Sequence, residues 1–311
     1  MCGEFRNNVY RDARSRVNDF VFDHGVAEAF DDMVSHARRS KSICCARAGG
    51  LILAVLVSIA PSGCATLPNG RLWGEDATLR PGWERVRASA VEAARDPWIW
   101  GPLIGAAAFQ IDSWDRRTSD WAREHTPVFG SQQSAEDWSD DLRKASVWAH
   151  YVAVATTPGG ADAPDWALSK AKGMLVHVAA VSATSAVTRQ LKKSTDRERP
   201  NGLAEESFPS GHTSSSAVHT RLASESLQSI DMSRGTRRIL DVGLIAMTIG
   251  TGWARIEAGW HFPSDALFSM ALGNFLGSFI NDAFLGLEQS GTALALAPTD
   301  DGVVLQWRQT F

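Results

Sequence analysis

The pattern of apolar and polar positions along the chain is helical almost throughout. Five segments carry helical patterns: residues 83–95, 134–155, 165–191, 237–255 and 263–287. The second of them opens with Ser134 and Asp137, whose spacing is that of a capping box at a helix N-terminus. Because these segments show little of the two-residue alternation of a strand, the sequence predicts an all-α protein, built as a helical bundle.

The apolar helices are short for membrane spans. Lys172 and Arg189 enclose 16 uncharged residues, and the corresponding runs after Asp241 and Asp265 have 13 and 16. A spanning helix needs about 20 predominantly apolar residues. Together with a mean hydropathy of −0.15, these lengths favour central helices of a large α-helical core. A shallow membrane-facing surface remains open as an alternative.

The end of the chain has a different pattern. Residues 292–297 and 303–311 flank Asp300-Asp301-Gly302, and Asp-Gly favours a tight turn. In the second segment Val303, Leu305 and Trp307 alternate with polar residues, as in a half-buried strand. The sequence therefore predicts a short C-terminal β-hairpin after the helices.

Composition narrows the class of protein. The chain has 311 residues, a formal net charge of −4, 44% hydrophobic and 21% charged residues, which are values of an ordinary globular protein. The slight acidity gives no electrostatic reason to expect a nucleic acid partner. All four cysteines lie at or before Cys64. This placement excludes a disulfide scaffold or a cysteine-ligated metal from the remaining chain.

The front of the chain has the features of an export signal. Residues 33–63 contain four basic and no acidic residues, and an apolar stretch over 49–60 is followed by Pro61-Ser-Gly-Cys64. Small residues before a cysteine resemble the lipobox of bacterial lipoproteins, which implies cleavage before Cys64 and a lipid on its sulfur. Pro61 departs from the aliphatic residue usual there. The alternative is an uncleaved anchor.

These features divide the chain into four predicted parts. Residues 1–63 are an N-terminal extension and signal peptide, and residues 64–80 are a polar tether rich in turn-forming residues. Residues 81–290 form the helical domain, and residues 291–311 form the hairpin.

Three clusters concentrate the reactive residue types: residues 192–200, 208–216 and 255–265. The second is a loop entering a helix, where free N–H groups and a glycine suit an oxyanion or a phosphate. The other two clusters contain arginines, whose planar guanidinium groups match the geometry of phosphate oxygens, and a lysine that adds a positive charge. His261 and Asp265 are spaced so that the carboxylate can fix the imidazole tautomer. His212 can then protonate a leaving group, so the set suits phosphoryl transfer without an obligatory metal.

Each cluster also has a structural interpretation. The first could be a solvated basic helix end, the second a turn with an N-cap, and the third a structural ion-pair group. His177 and His219 fall on apolar faces, where a core histidine with satisfied hydrogen bonds is the expected role.

Taken in order, the clusters read lysine, six residues, Arg-Pro; then Pro-Ser-Gly-His; then arginine, five residues, histidine, three residues, aspartate. This pattern resembles the signature of the type-2 phosphatidic acid phosphatase and vanadium haloperoxidase superfamily. Ten positions match over residues 192–265, and Ala254 departs from the serine that often precedes the arginine. The resemblance implies an all-α bundle of the type-2 acid phosphatase kind.

The resemblance also implies roles by position. His261 would be the nucleophile that forms a phosphohistidine, Asp265 would orient it, and His212 would be the general acid. Phosphate oxygens would be held by five residues: Lys192, Arg199, Ser210, Gly211 and Arg255. No metal and no cofactor are implied, except vanadate if the chain is a haloperoxidase.

We therefore expect a phosphoric ester hydrolase of the bacterial cell envelope, facing the periplasm. Its expected partners are a phosphorylated, preferably lipid-linked, monoester or diphosphate substrate, and a membrane surface reached through a lipid at Cys64. Three alternatives stay open: a nonspecific periplasmic acid phosphatase, a vanadate-dependent haloperoxidase, and a non-catalytic envelope lipoprotein that retains the fold.

Overall fold

The computed structural model describes Leu67, residues 71–160 and 162–286, and the backbone of residues 292–299 and 302–309. Contacts divide the chain into Met1–Gly50 and Leu51–Phe311, and all described residues belong to the second unit. The predicted signal peptide and Cys64 lie outside the described residues.

The described helices begin with three short ones and continue with five long ones. The short ones are α1 (Trp83–Arg95), α2 (Pro97–Ala108) and α3 (Trp114–His125). The long ones are α4 (Gln132–Thr156), α5 (Ala163–Thr195), α6 (Gly211–Gln228), α7 (Arg234–Glu257) and α8 (Pro263–Ile280). A π-helical turn, Asn281–Leu285, follows α8. The predicted all-α class is confirmed by this architecture.

Local chemistry explains where the helices begin. The Ser131 hydroxyl accepts the Ser134 N–H at 3.1 Å, so the N-cap of α4 lies three residues before the predicted one at Ser134. Asp96 accepts the Trp98 N–H at 2.9 Å with Pro97 at the first helical position, which starts α2 in a part of the chain for which the sequence predicted no helix. Serine caps at Ser210 and Ser233 begin α6 and α7.

Helices α6 and α8 pack closely at the centre of the bundle. Gly273 of α8 lies against α6 so tightly that a Cβ there would be 2.6 Å from the Ser214 carbonyl oxygen. Helices α4 and α7 close the other side of α6 around a cluster that includes Ala153, Leu227 and Leu244. This packing fixes the N-terminal ends of α6 and α8 relative to one another, and both ends carry motif residues.

One helix of the described residues, α7, is long and apolar enough by length and composition to cross a membrane, and 44% of its most apolar window is buried.

The described part of the predicted tether is packed on the bundle. The Trp73 side chain is fully buried beside Gly173 of α5, and its backbone N–H donates to the Pro158 carbonyl at 2.9 Å. Farther along, the Thr78 N–H donates to the Phe284 carbonyl at 2.9 Å. The three predicted boundaries between the four parts stay predictions.

At the C-terminus, β1 (Thr292–Thr299) pairs antiparallel with β2 (Gly302–Gln309) in a register that sets Thr299 opposite Gly302. The predicted alternation of side chains on these strands lies outside what the structure describes. The hairpin as a packed part of the fold therefore stays a prediction.

Candidate active site

The three sequence clusters meet where several helix ends converge. Lys192 lies in the last turn of α5, Arg255 lies in the last turn of α7, and Gly211 begins α6. Asp265 lies in the first turn of α8, where it accepts the Phe262 N–H at 2.8 Å and so caps the helix. Helix ends leave backbone groups unpaired, which makes such a junction suited to a polar ligand.

Cations dominate the electrostatics of this junction. Burial, followed by the charges of Arg255 and Lys192, lowers the pKa of His261 well below its usual range. Burial, followed by the charge of Arg199, lowers the pKa of Lys192. These interactions require the three cations to lie close enough to His261 and to one another to repel additional positive charge. An anion between them would relieve that repulsion.

The space next to the first residue of α6 is free of other protein atoms. A Cβ placed on Gly211 would meet no atom within 4 Å. Beside it, the Ser210 hydroxyl accepts the Thr213 hydroxyl at 2.9 Å, and the Ser210 N–H donates to the Ser269 hydroxyl at 2.6 Å. The Ser210 oxygen can still donate its own hydrogen, while its N–H is already used. The Gly211 N–H and the Ser210 hydroxyl are therefore the groups available to an oxyanion.

His212 has a partner that the sequence did not indicate. Its Nε2 lies 2.7 Å from Asp140 Oδ1 on α4. Burial lowers the pKa of His212, and the hydrogen bond to Asp140 opposes that shift. The same bond is the main cause of the lowered pKa of Asp140. Asp140 thus holds one ring nitrogen of His212 and leaves Nδ1 for another contact.

His261 is oriented differently from the expectation. Its Nδ1 lies 2.5 Å from the Ser207 carbonyl oxygen and 3.9 Å from Asp265 Oδ2. A carbonyl oxygen only accepts, so Nδ1 carries the hydrogen and Nε2 keeps its lone pair. Asp265 instead accepts the Ser207 hydroxyl at 2.5 Å. The direct carboxylate–imidazole contact expected from the spacing is therefore replaced by a relay through Ser207, because capping α8 turns the carboxylate toward its own helix N-terminus.

Asp265 is itself clamped by residues outside the motif positions. Arg197 donates to Asp265 Oδ1 at 2.5 Å and to Asp115 Oδ2 at 2.7 Å. Asp115, on α3, also accepts the Ser264 N–H at 2.8 Å. Burial raises the pKa of Asp265 to about 6, and Arg197 opposes that shift. The clamp fixes the carboxylate that holds Ser207, and through Ser207 it fixes His261.

The remaining histidines of the core do not join the site. His150 Nδ1 lies 2.9 Å from His219 Nδ1, and His150 Nε2 lies 2.8 Å from His177 Nδ1. His177 Nε2 lies 3.1 Å from Asn281 Oδ1. His177 and His219 are thus hydrogen-bonded core residues, as the sequence predicted.

Sequence reasoning missed Asp140, Asp115, Arg197 and Ser207 as parts of this site. Asp140 and Asp115 lie 72 and 82 residues from the partners they bond, and they stand among other acidic and basic residues with no distinguishing spacing. Arg197 and Ser207 lie close to motif residues, so their proximity to Arg199 and Ser210 was the one available signal.

Comparison with known proteins gives three findings. A family model described as the PAP2 superfamily matches residues 173–285. The fold is similar to the crystal structure of a transmembrane PAP2-type phosphatidylglycerolphosphate phosphatase from Bacillus subtilis, with a TM-score of 0.46 and 19% sequence identity. That similarity covers 61% of this chain and 94% of the other. No curated protein matches the chain.

The matched segment contains all ten motif positions found in the sequence, from Lys192 to Asp265. The predicted resemblance is thereby confirmed, and with it the predicted enzyme class. Residues 173–285 therefore match the PAP2 superfamily, and this match supports a phosphoric ester hydrolase of that kind.

Proposed function

We propose that the protein hydrolyses lipid-linked phosphate monoesters or diphosphates through a phosphohistidine at His261, without a metal or another cofactor. The observation that carries this proposal is the Nδ1 contact of His261 with the Ser207 carbonyl, which leaves Nε2 as a nucleophile among three cations. Covalent catalysis of this kind divides hydrolysis into two easier displacements.

In the first displacement, the Nε2 lone pair attacks phosphorus and the bond from phosphorus to the leaving oxygen breaks. His212, protonated on both nitrogens and held by Asp140, gives its Nδ1 proton to that oxygen. In the second displacement, His212 takes a proton from water, the water oxygen attacks phosphorus, and the phosphorus–nitrogen bond breaks. Inorganic phosphate leaves, and His261 is again neutral.

The five phosphate-binding residues have separate parts in this scheme. Lys192, Arg199 and Arg255 compensate the charge spread over the phosphoryl oxygens. The Ser210 hydroxyl and the Gly211 N–H bind one oxygen at the helix N-terminus, where the aligned peptide dipoles favour an anion.

A lipid substrate is supported by the apolar surface on α2. Trp98, Leu103 and Ile104 are exposed there at 46%, 40% and 61%. A cleft of about 490 Å³ between α2 and α8 is lined mostly by apolar side chains, among them Leu103, Phe208 and Phe268. The relative in the fold comparison is named for a lipid phosphate. Exposed indoles and aliphatic side chains suit a membrane boundary.

The proposal is tested with the full-length protein in detergent and a substrate panel. Phosphatidic acid, a polyprenyl diphosphate and a water-soluble aryl phosphate are compared at equal concentration, with His261→Gln as the control. We expect phosphate release from the lipids to exceed release from the aryl ester, and His261→Gln to release none. Equal or better hydrolysis of the soluble ester would instead identify a nonspecific acid phosphatase.

Two further parts of the proposal need their own measurements. Activity should persist in excess chelator, and loss that divalent ions restore would contradict a metal-independent mechanism. Attachment to the cell envelope through Cys64 should appear as incorporation of labelled fatty acid in cells, and Cys64→Ser should abolish it. Labelling that persists in the serine variant would exclude Cys64 as the anchor.

A further inference from the structure

Trp260 lies beside both arginines of the phosphate site. The guanidinium carbon of Arg199 is 4.8 Å from the centre of the Trp260 ring, and that of Arg255 is 5.0 Å away. The two arginines belong to different elements, since Arg199 follows α5 and Arg255 lies in the last turn of α7. One indole therefore contacts two cations that come from separate parts of the chain.

The two guanidinium groups need a stabilising contact in the absence of substrate. Burial lowers the pKa of Arg255 to about 10; the charges of Glu136 and Asp140 oppose that shift, and the charge of Arg199 adds to it. Within the described part of the chain, the Nε atoms of both arginines are buried without a hydrogen-bond partner. Arg199 reaches Glu206 only at 3.9 Å, and Arg255 donates to the neutral Ser139 hydroxyl at 3.3 Å.

An aromatic ring is better suited than a carboxylate to stabilise these two guanidinium groups when no substrate is bound. A carboxylate in direct contact would neutralise each arginine and then repel the incoming phosphate. The negative face of an indole attracts a cation without carrying a net charge. It can therefore hold a guanidinium in place while leaving the N–H groups and the positive charge for an anion.

Backbone hydrogen bonds hold the turn at Trp260 without using the arginine side chains. The Trp260 N–H donates to the Arg255 carbonyl at 3.0 Å, and the neighbouring Gly259 carbonyl accepts the Asn201 N–H at 3.1 Å. These bonds join the turn before His261 to the loop that carries Arg199. Gly259 has φ +74, a conformation that glycine adopts without strain. The turn thus fixes the backbone from which the indole extends toward the two arginines.

We propose that Trp260 is a positioning residue that holds Arg199 and Arg255 ready for a phosphoryl group. No motif position of the superfamily assigns this role, since Trp260 is one of the five variable residues between Arg255 and His261. The inference rests on the proposed function for the identity of the anion.

The test measures binding of inorganic phosphate to the full-length protein by calorimetry, in parallel with KM and kcat on a soluble aryl phosphate. Trp260→Leu removes the π face, Trp260→Phe retains one, and Trp83→Leu changes a tryptophan that is 74% exposed on α1. We expect Trp260→Leu to weaken phosphate binding and raise KM about tenfold, with a smaller change in kcat. Trp260→Phe should recover most of the affinity, and Trp83→Leu should match the wild type.

Trp260→Met gives the same test if the leucine variant fails to fold. Leucine and methionine variants that bind phosphate as tightly as the phenylalanine variant would overturn the positioning role and leave the proposed function intact. A wild-type protein that neither binds phosphate nor cleaves any ester would overturn both.

Discussion

Two groups of histidines lie in the same helical bundle and differ in what surrounds them. His212 and His261 stand at the helix ends among cations, and His150, His177 and His219 lie in the core. Burial is the main cause of the lowered pKa of every one of the five. Burial therefore does not distinguish the histidines proposed to be catalytic from the core histidines.

The hydrogen-bond partners make the distinction. Asn281 Nδ2 donates to Asp282 at 3.1 Å, so its Oδ1 accepts from His177 Nε2. Then His177 Nδ1 accepts from His150 Nε2, and His150 Nδ1 accepts from His219 Nδ1. In this series of three histidines, each ring nitrogen except His219 Nε2 makes a hydrogen bond with a neighbouring side chain. At His261, by contrast, a carbonyl holds Nδ1 and leaves the lone pair of Nε2 for the proposed attack on phosphorus.

The largest effect that tests this comparison is expected from His212→Gln. Loss of the proposed general acid should lower kcat by about 10²–10⁴-fold on an alkyl phosphate. The loss should be smaller on an aryl phosphate, whose leaving group needs less help from a proton. Steady-state kinetics on the two esters measures the difference. An equal loss on both would assign His212 another role.

The relay to His261 predicts a graded pair of losses. Asp265→Asn should lower kcat by about 10²-fold, because it weakens the contacts with both Ser207 and Arg197. Ser207→Ala should lower kcat by about tenfold, because the backbone carbonyl of residue 207 still accepts the hydrogen bond from His261 Nδ1. Circular dichroism checks that both variants are folded. A larger loss in Ser207→Ala than in Asp265→Asn would contradict the order of the relay.

Asp140 should change the pH profile more than the maximal rate. Its hydrogen bond raises the pKa of His212 against the effect of burial, so Asp140→Asn should lower that pKa further. As the pH rises, His212 then loses its proton at a lower pH than in the wild type. The alkaline limb of the pH profile of kcat should therefore shift to lower pH. A profile of kcat from pH 4 to 8 measures this shift. An unmoved limb would separate Asp140 from the acid step.

The core histidines should affect stability and leave activity at neutral pH nearly unchanged. Their folded pKa values, about 4 for His177 and about 3 for His219, lie below the ordinary 6.5. The stability they contribute is full above pH 6.5 and is lost as pH falls toward those values, at about 1.4 kcal/mol per pH unit for each histidine.

Urea unfolding from pH 7 to pH 4.5 tests this dependence, with His219→Leu as the comparison. We expect a shallower acid loss in the variant than in the wild type. Identical slopes in the two proteins would exclude His219 as a source of the acid loss.

The sequence predicted the parts of the molecule that depend on local spacing. Lys192, Gly211 and Asp265 fall within short motifs, and the long helices have apolar runs that mark them. The sequence did not predict α2, which is apolar around its circumference. It also did not predict the turn before α3, where Asp112 and Ser113 have positive φ. No periodicity indicates either element.

The missed site residues have the same physical explanation. Asp140 reaches His212 and Asp115 reaches Arg197 only after distant helices have packed. The contact of Trp260 with two arginines depends on how the turn before His261 folds. Contacts between residues that are distant in sequence cannot be predicted from the spacing of residues in a single sequence.

The most direct test of the account is to trap the covalent intermediate. The full-length enzyme is mixed with a ³²P-labelled substrate, quenched in denaturing alkali within one turnover, and digested for mass spectrometry. We predict phosphate on His261, none in His261→Gln, and an amount in Asp115→Asn that is reduced because the clamp on Asp265 is loosened. Turnover without phosphate on His261, or phosphate on His212, His150 or His219 instead, would contradict the assignment of the nucleophile.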